Sequence, residues 1–167
     1  GTCLFTDAAN YTTLSEKLNP RELSNILGKY FMALFTPIRH HGGLIVDLKG
    51  DSILAIWKAP QDELGLRKQA CFAALDIAKS VDRFNQEVGP YRIPTRIGLH
   101  CGQFTIGTVG AVDHDEYRPV GNVVNTASWV EGCNKYLGTT IAVTGDVVHG
   151  PKAALLLREL GQFKLKG

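Results

Sequence analysis

Between Leu23 and Ile38 the apolar side chains return every three or four positions, at Leu23, Ile26, Leu27, Tyr30, Phe31, Leu34 and Ile38. That is the period of a helix laying one face on a core. Asn19 and Pro20 mark its start, a cap residue followed by proline in the first turn, and Gly42 and Gly43 mark its end. Upstream, residues 3–6 read as the end of a strand and residues 8–12 as a loop. Thr13 with Glu16 then has the spacing of a capping box that opens a short helix. Downstream, the runs 44–48 and 52–57 are strand-like and are separated by Lys49, Gly50 and Asp51, which predicts a β-hairpin with an acid at its tip.

A second long helix is expected from Asp62 to Glu87, with Ala70, Ala74, Leu75, Ala78 and Val81 on its inner face. Residues 95–109 form two more strand runs, and the glycines at 98, 102, 107 and 110 predict bulges or a close approach of backbones. A polar loop over 111–119 leads to a third helix from Asn122 to Tyr136, stopped by Gly138. A strand over Thr140–Thr144 and a terminal strand pair around 155–160 and 163–165 complete the pattern. The order βα, then ββ, then αβ with additions predicts an α+β sandwich, a mixed or antiparallel sheet covered by helices. No internal repeat, low-complexity tract or linker interrupts it.

Composition narrows the partners. At 167 residues, 44% hydrophobic and 20% charged, the chain reads as one globular domain. A net charge of +2 is too small to argue for nucleic acid or an anionic membrane. Cys3, Cys71, Cys101 and Cys133 are scattered, with no CxxC pair and no close histidine, so reduced thiols in a cytoplasmic setting are expected. No apolar run approaches the ~18 to 20 residues of a membrane span, and no signal segment stands at the start, so no membrane contact by the domain itself is expected. The opening at Gly1, without a methionine, reads as a piece of a longer protein, and any membrane anchor is expected in that protein's other regions.

Asp7 and Asp51 each sit where an apolar run meets a turn. Brought together, they make a site for divalent metal and a polyphosphate. The stretches around them, FTDAANYTTLSE, GGLIVDLKGDSILAIW, TRIGLHCGQFTIGTVG and EYRPVGNVVNTASWVEGCNKYLG, resemble in order and spacing the successive motifs of the class III adenylate/guanylate cyclase catalytic domain. The resemblance covers nearly the whole chain. It implies a ferredoxin-like βαββαβ core with C-terminal additions, working as a head-to-tail homodimer on ATP or GTP. It implies two Mg²⁺ or Mn²⁺ ions held by Asp7, Asp51 and the backbone carbonyl of Ala8. It also implies a phosphate-binding turn over Ala8, Ala9, Asn10, Tyr11 and Thr12, with Asn10 where the family has glycine, and a ribose-orienting residue at Asn125.

Three positions depart from the family pattern. The residue one helical turn beyond Asn125, an arginine in the family, is Trp129. An indole offers one neutral donor where a guanidinium offers a charged fork. The base-recognising pair falls on Asp47 and Arg118 with its signs exchanged, so Asp47 accepts and Arg118 donates, or the two form a salt bridge without a ligand contact. On this reading Asp47 completes the site together with Arg118, Asn125 and Trp129, the last three from the other subunit. The family's C-terminal triphosphate lysine falls at or beyond Gly167, past Lys164 and Lys166. Two alternatives stand beside the cyclase. One is a catalytically degenerate cyclase domain that binds nucleotide or dimerises to regulate its parent. The other is a nucleic-acid module, which the lack of aromatic strand platforms and of a basic face argues against.

Overall fold

The computed structural model describes residues 1–58, 62–111 and 114–165. In chain order it contains β1 (Thr2–Ala8), α1 (Tyr11–Lys17), α2 (Pro20–His40), β2 (Leu44–Lys49), β3 (Ser52–Trp57), α3 (Glu63–Glu87), β4 (Thr95–Cys101), β5 (Thr105–Ala111), β6 (His114–Val120), α4 (Asn122–Leu137), β7 (Ile141–Val143) and α5 (Gly145–Val148). The main sheet runs β2-β3-β1-β4-β7, antiparallel except for the parallel pair β4–β7. Its first four strands, with the helices between them, are the expected βαββαβ core.

Alternation along the strands separates two faces. Leu4, Ile53, Ala55, Ile97 and Leu99 join the larger core under α2 and α3, while Cys3, Leu54 and Ile56 join Val123 and Ala127 of α4 in a smaller core on the opposite face. The predicted helix α2 forms as expected. The Asn19 side chain accepts hydrogen bonds from the N–H groups of Arg21 and Glu22, and Tyr30, Leu34 and Ile38 are fully buried.

Four expectations are corrected. The first short helix starts at Tyr11 rather than at a Thr13 capping box, because Asn10 takes the left-handed conformation (φ 72°) and turns the chain two residues earlier. On α3, Leu75 is 42% exposed, and Ile77 fills the core in its place. The polar stretch after β5 is a strand, β6, whose hairpin pairing with β5 outweighs its low hydrophobicity. The terminal strand pair is absent: Pro151–Ala154 form a 3₁₀ turn, residues 156–165 have no regular structure, and Leu155 alone of the segment's leucines packs on the larger core. Lys166 lies outside the described residues.

One contact sets the height of α4. A Cβ at Gly98 of β4 would collide with the backbone N of Glu131 and the backbone O of Ala127, so helix and strand touch backbone to backbone. Asn134, 1% exposed, locks the same contact by donating from Nδ2 to the Ile97 carbonyl at 2.9 Å. Gly98→Ala is therefore expected to cost about 3 kcal/mol by overpacking. In thermal unfolding this reads as a Tm lower by roughly 6 to 12 °C.

Candidate active site

The register gathers the site. On the α4 face of the sheet, Asp7 of β1 stands opposite Arg96 of β4, and on its other side Ser52 of β3 donates from Oγ to Asp7 Oδ1 at 3.3 Å. Asp51 sits in the β2–β3 turn, which closes between the paired residues Lys49 and Ser52. Gly50 takes φ 63° there, the conformation that the first position of so tight a turn demands. The two sequence-predicted carboxylates thus meet at the end of β1. Burial pushes the Asp51 carboxyl above its ordinary value and the neighbouring Asp7 charge adds to it, against the backbone N–H groups of Asp51 and Ala8 that hold it down.

A cation already stands beside them. Arg96 donates from Nη2 to Asp7 Oδ2 at 2.6 Å and from Nε to Glu131 Oε1 at 2.9 Å. Burial works against the guanidinium charge, but the hydrogen bonds and charges of Asp7 and Glu131 outweigh it and hold Arg96 above its ordinary value. Glu131, 6% exposed, is itself pushed up, by burial first and then by Asp7. Sequence reasoning found neither residue. Both lie inside recognised motifs, but their pairing depends on the β1–β4 register and on α4 lying against β4, and neither is visible in spacing.

Among the described residues no group of three or more His, Cys, Asp or Glu converges to hold a metal. The donor set at the end of β1 is two carboxylates that repel one another, beside a hydroxyl. Such hard oxygen donors suit Mg²⁺ or Mn²⁺ when the remaining ligands are phosphate oxygens and water. Beyond Ala8 only Ala9 and Asn10 separate strand from helix, so Tyr11 and Thr12 form the first turn of α1 rather than a loop.

The other predicted residues lie apart from the carboxylates. Asn125 is exposed and Trp129 half-buried on the face of α4 opposite Val123, Ala127 and Val130, turned away from the chain's own sheet. Asp47 and Arg118 pair at 3.6 Å within one chain, which corrects the expectation that they meet across a subunit boundary and places Asp47 on the same side as Arg118. A bulge between Ile45 and Asp47 is the cause. It puts Asp47 opposite Leu54, on the α4 face, where regular alternation would have kept it on the face of Ile45. Lys164 lies in the irregular C-terminal stretch. Among the described residues no helix is long and apolar enough to cross a membrane.

Comparisons with known proteins bear on this arrangement. The family model of the adenylate and guanylate cyclase catalytic domain matches residues 2–167. Adenylate cyclase 1 of Rhizobium meliloti is 36% identical over 169 residues, spanning 99% of this chain and 25% of the relative. The chain thus spans about a quarter of that protein's length. The crystal structure of the adenylyl cyclase CyaB from P. aeruginosa superposes with a TM-score of 0.89 at 24% identity, over 99% of this chain and 87% of the other, a likeness of fold. The guanylate cyclase domain of RhGC from Catenaria anguillulae, solved in complex with GTP, gives a TM-score of 0.84 at 26% identity, over 99% and 89%. The βαββαβ core, the paired carboxylates and the match along the whole chain place this protein in the adenylate and guanylate cyclase catalytic domain family.

Proposed function

We propose that this domain is the catalytic domain of an adenylate cyclase, forming 3′,5′-cyclic AMP and pyrophosphate from ATP at the interface of a head-to-tail homodimer. The observation that carries the reading is the convergence of Asp7 and Asp51 at one end of the sheet, in a chain that keeps the family fold throughout. Asp7, Asp51 and the Ala8 carbonyl would hold two Mg²⁺ or Mn²⁺ ions. Such ions lower the pKa of the attacking ribose hydroxyl and neutralise the leaving phosphates.

The chain's own residues do the rest. The turn Ala8–Thr12 binds the triphosphate, with Asn10 left-handed as a glycine would be. Asn125 orients the ribose and Trp129 lines the site beside it, both from the second protomer together with Asp47 and Arg118, which are paired on one chain. Asp47 accepts from the adenine amino group and Arg118 donates to a ring nitrogen. Guanine also gives Arg118 an acceptor, so GTP is the competing substrate.

A second reading has its own observation. Trp129 stands on the open face of α4 one turn beyond Asn125, where the family carries arginine. Without that cation the domain would bind nucleotide and dimerise, regulating its parent without turnover. Incubation with Mn²⁺ and either ATP or GTP separates the two. The cyclase reading expects cyclic AMP as the main product, with specific activity rising with protein concentration as the dimer forms. Nucleotide binding without cyclic product leaves the degenerate reading, and a cyclic GMP excess reverses the base assignment.

A further inference from the structure

Both oxygens of Asp7 are engaged within the chain, Oδ2 by the Arg96 guanidinium and Oδ1 by the Ser52 hydroxyl. The Arg96 side chain is 24% exposed, and its guanidinium bridges two carboxylates, at 2.6 Å to Asp7 and 2.9 Å to Glu131. Arg96 therefore answers part of the repulsion between Asp7 and Asp51 when no metal is present. The arrangement raises a question of charge accounting. Once a metal claims Asp7, a half-buried guanidinium that had Asp7 as its sole counter-ion would be left without one, and removing one partner of a buried pair is costly. Glu131 prevents this. Its carboxylate is buried, fixed on α4 by the backbone contact at Gly98, and bonded to a different nitrogen of Arg96 from the one Asp7 uses.

We propose that Arg96 is the built-in cation of the metal-free site, and that Glu131 is the positioning residue that retains Arg96 and its charge when a divalent cation takes Asp7. Metal uptake is then an exchange of partners at Asp7 Oδ2. The Arg96 Nη2 bond to Asp7 is given up while the Nε bond to Glu131 persists. With Glu131→Gln, Arg96 keeps a neutral acceptor but has Asp7 as its remaining bonded carboxylate, with the Asp51 charge nearby, so it holds Asp7 more firmly and competes better with the metal. The inference rests on reading Asp7 as a metal ligand.

The test is Mn²⁺ affinity of the nucleotide-free domain, read from the electron paramagnetic resonance of free Mn²⁺, with Tm measured beside it. Glu131→Gln is expected to weaken binding about tenfold, the scale of one partly screened charge. Arg96→Gln is expected to tighten it by about as much. The double variant should bind like Arg96→Gln alone, since Glu131 acts through Arg96. If Glu131 is a plain negative charge near the site, its substitution weakens binding equally in both backgrounds, and the proposal is overturned. Equal affinity of Glu131→Gln and wild type overturns it as well. Should Arg96→Gln not fold, leaving Glu131 unpaired, the double variant compared with Glu131→Gln decides: tighter binding by the double variant supports the exchange, and equal or weaker binding refutes it. Where the wild-type domain alone takes up no Mn²⁺, the series is read with pyrophosphate supplying phosphate oxygens, and no uptake beyond what pyrophosphate itself complexes brings down the metal reading of Asp7 itself. Binding by the wild type with no response to Glu131→Gln brings down the present inference alone.

Discussion

Asp51→Asn is expected to reduce Mn²⁺-supported cyclic nucleotide formation about 10³-fold on the proposed reading, in which losing one of two metal carboxylates forfeits several kcal/mol of transition-state charge stabilisation. The metal-free fold should not suffer. Asp51 sits in a turn whose geometry is set by Gly50, and its carboxyl lies above the ordinary range because burial, and then Asp7, disfavour its charge. For an acid shifted in that direction the sign of linkage is fixed. The ionised form is worse tolerated in the folded chain than in the unfolded one, so the penalty is absent in acid and grows as pH rises through the carboxylate range. It is fully present once the folded group has ionised. Asparagine carries no such penalty. Tm at neutral pH is therefore expected to stay level or rise while activity collapses, and the wild type should close the gap in Tm on acidification. A variant that loses activity and Tm together would assign Asp51 to the fold and not to the metals.

Trp129→Arg is expected to raise turnover, by up to about 10³-fold if the restored guanidinium acts as arginine fingers do in other phosphoryl-transfer sites. The site can accept it. Trp129 is half-buried on the face of α4 that points away from the chain's own sheet, one turn beyond Asn125, so an arginine there meets no packed core. The gain should fall in kcat with KM nearly unchanged, because an interaction made only in the transition state leaves ground-state binding alone. An unchanged kcat would mean that another cation of this chain already meets the developing charge, or that Trp129 serves the dimer contact. Analytical ultracentrifugation of the same variant separates those two outcomes.

The core of the fold was legible in the sequence because its helices and central strands announce themselves by period. Leu23 to Ile38 could be assigned to one helix face, and Ser52 to Trp57 to a strand, from spacing alone. The failures share a cause. The strand β6 is polar, and its ladder with β5 exists through pairing that no period of its own reveals. The α1 boundary moved because a single residue, Asn10, adopts a left-handed backbone. In the candidate site, Asp7 and Asp51 stand out because each lies where an apolar run meets a turn, inside a stretch that resembles a family motif, and the strand register brings the two to one end of the sheet. Arg96 and Glu131 were missed because each looks like an ordinary polar residue of a strand or helix, and only the β1–β4 register and the seat of α4 bring them together. The pairing of Asp47 with Arg118 is legible as a salt bridge, but its place within one chain is not, because a one-residue bulge reverses the side of the sheet that Asp47 occupies.

The bare contact between Gly98 and α4 also bears on how such a domain changes over evolutionary time. A helix spaced from its sheet by side chains drifts when those side chains mutate, and whatever it carries drifts with it. Here the closest spacer is backbone against backbone at Gly98, so the outward residues Asn125 and Trp129 ride on a platform whose height is set on the inner face of α4 and not by their own side chains. Exchange at position 129, on the face away from that contact, is thus expected to leave the seat of α4 unchanged. If Trp129 stands at a catalytic position as proposed, loss and recovery of turnover would be separated by one codon and not by a refolded site.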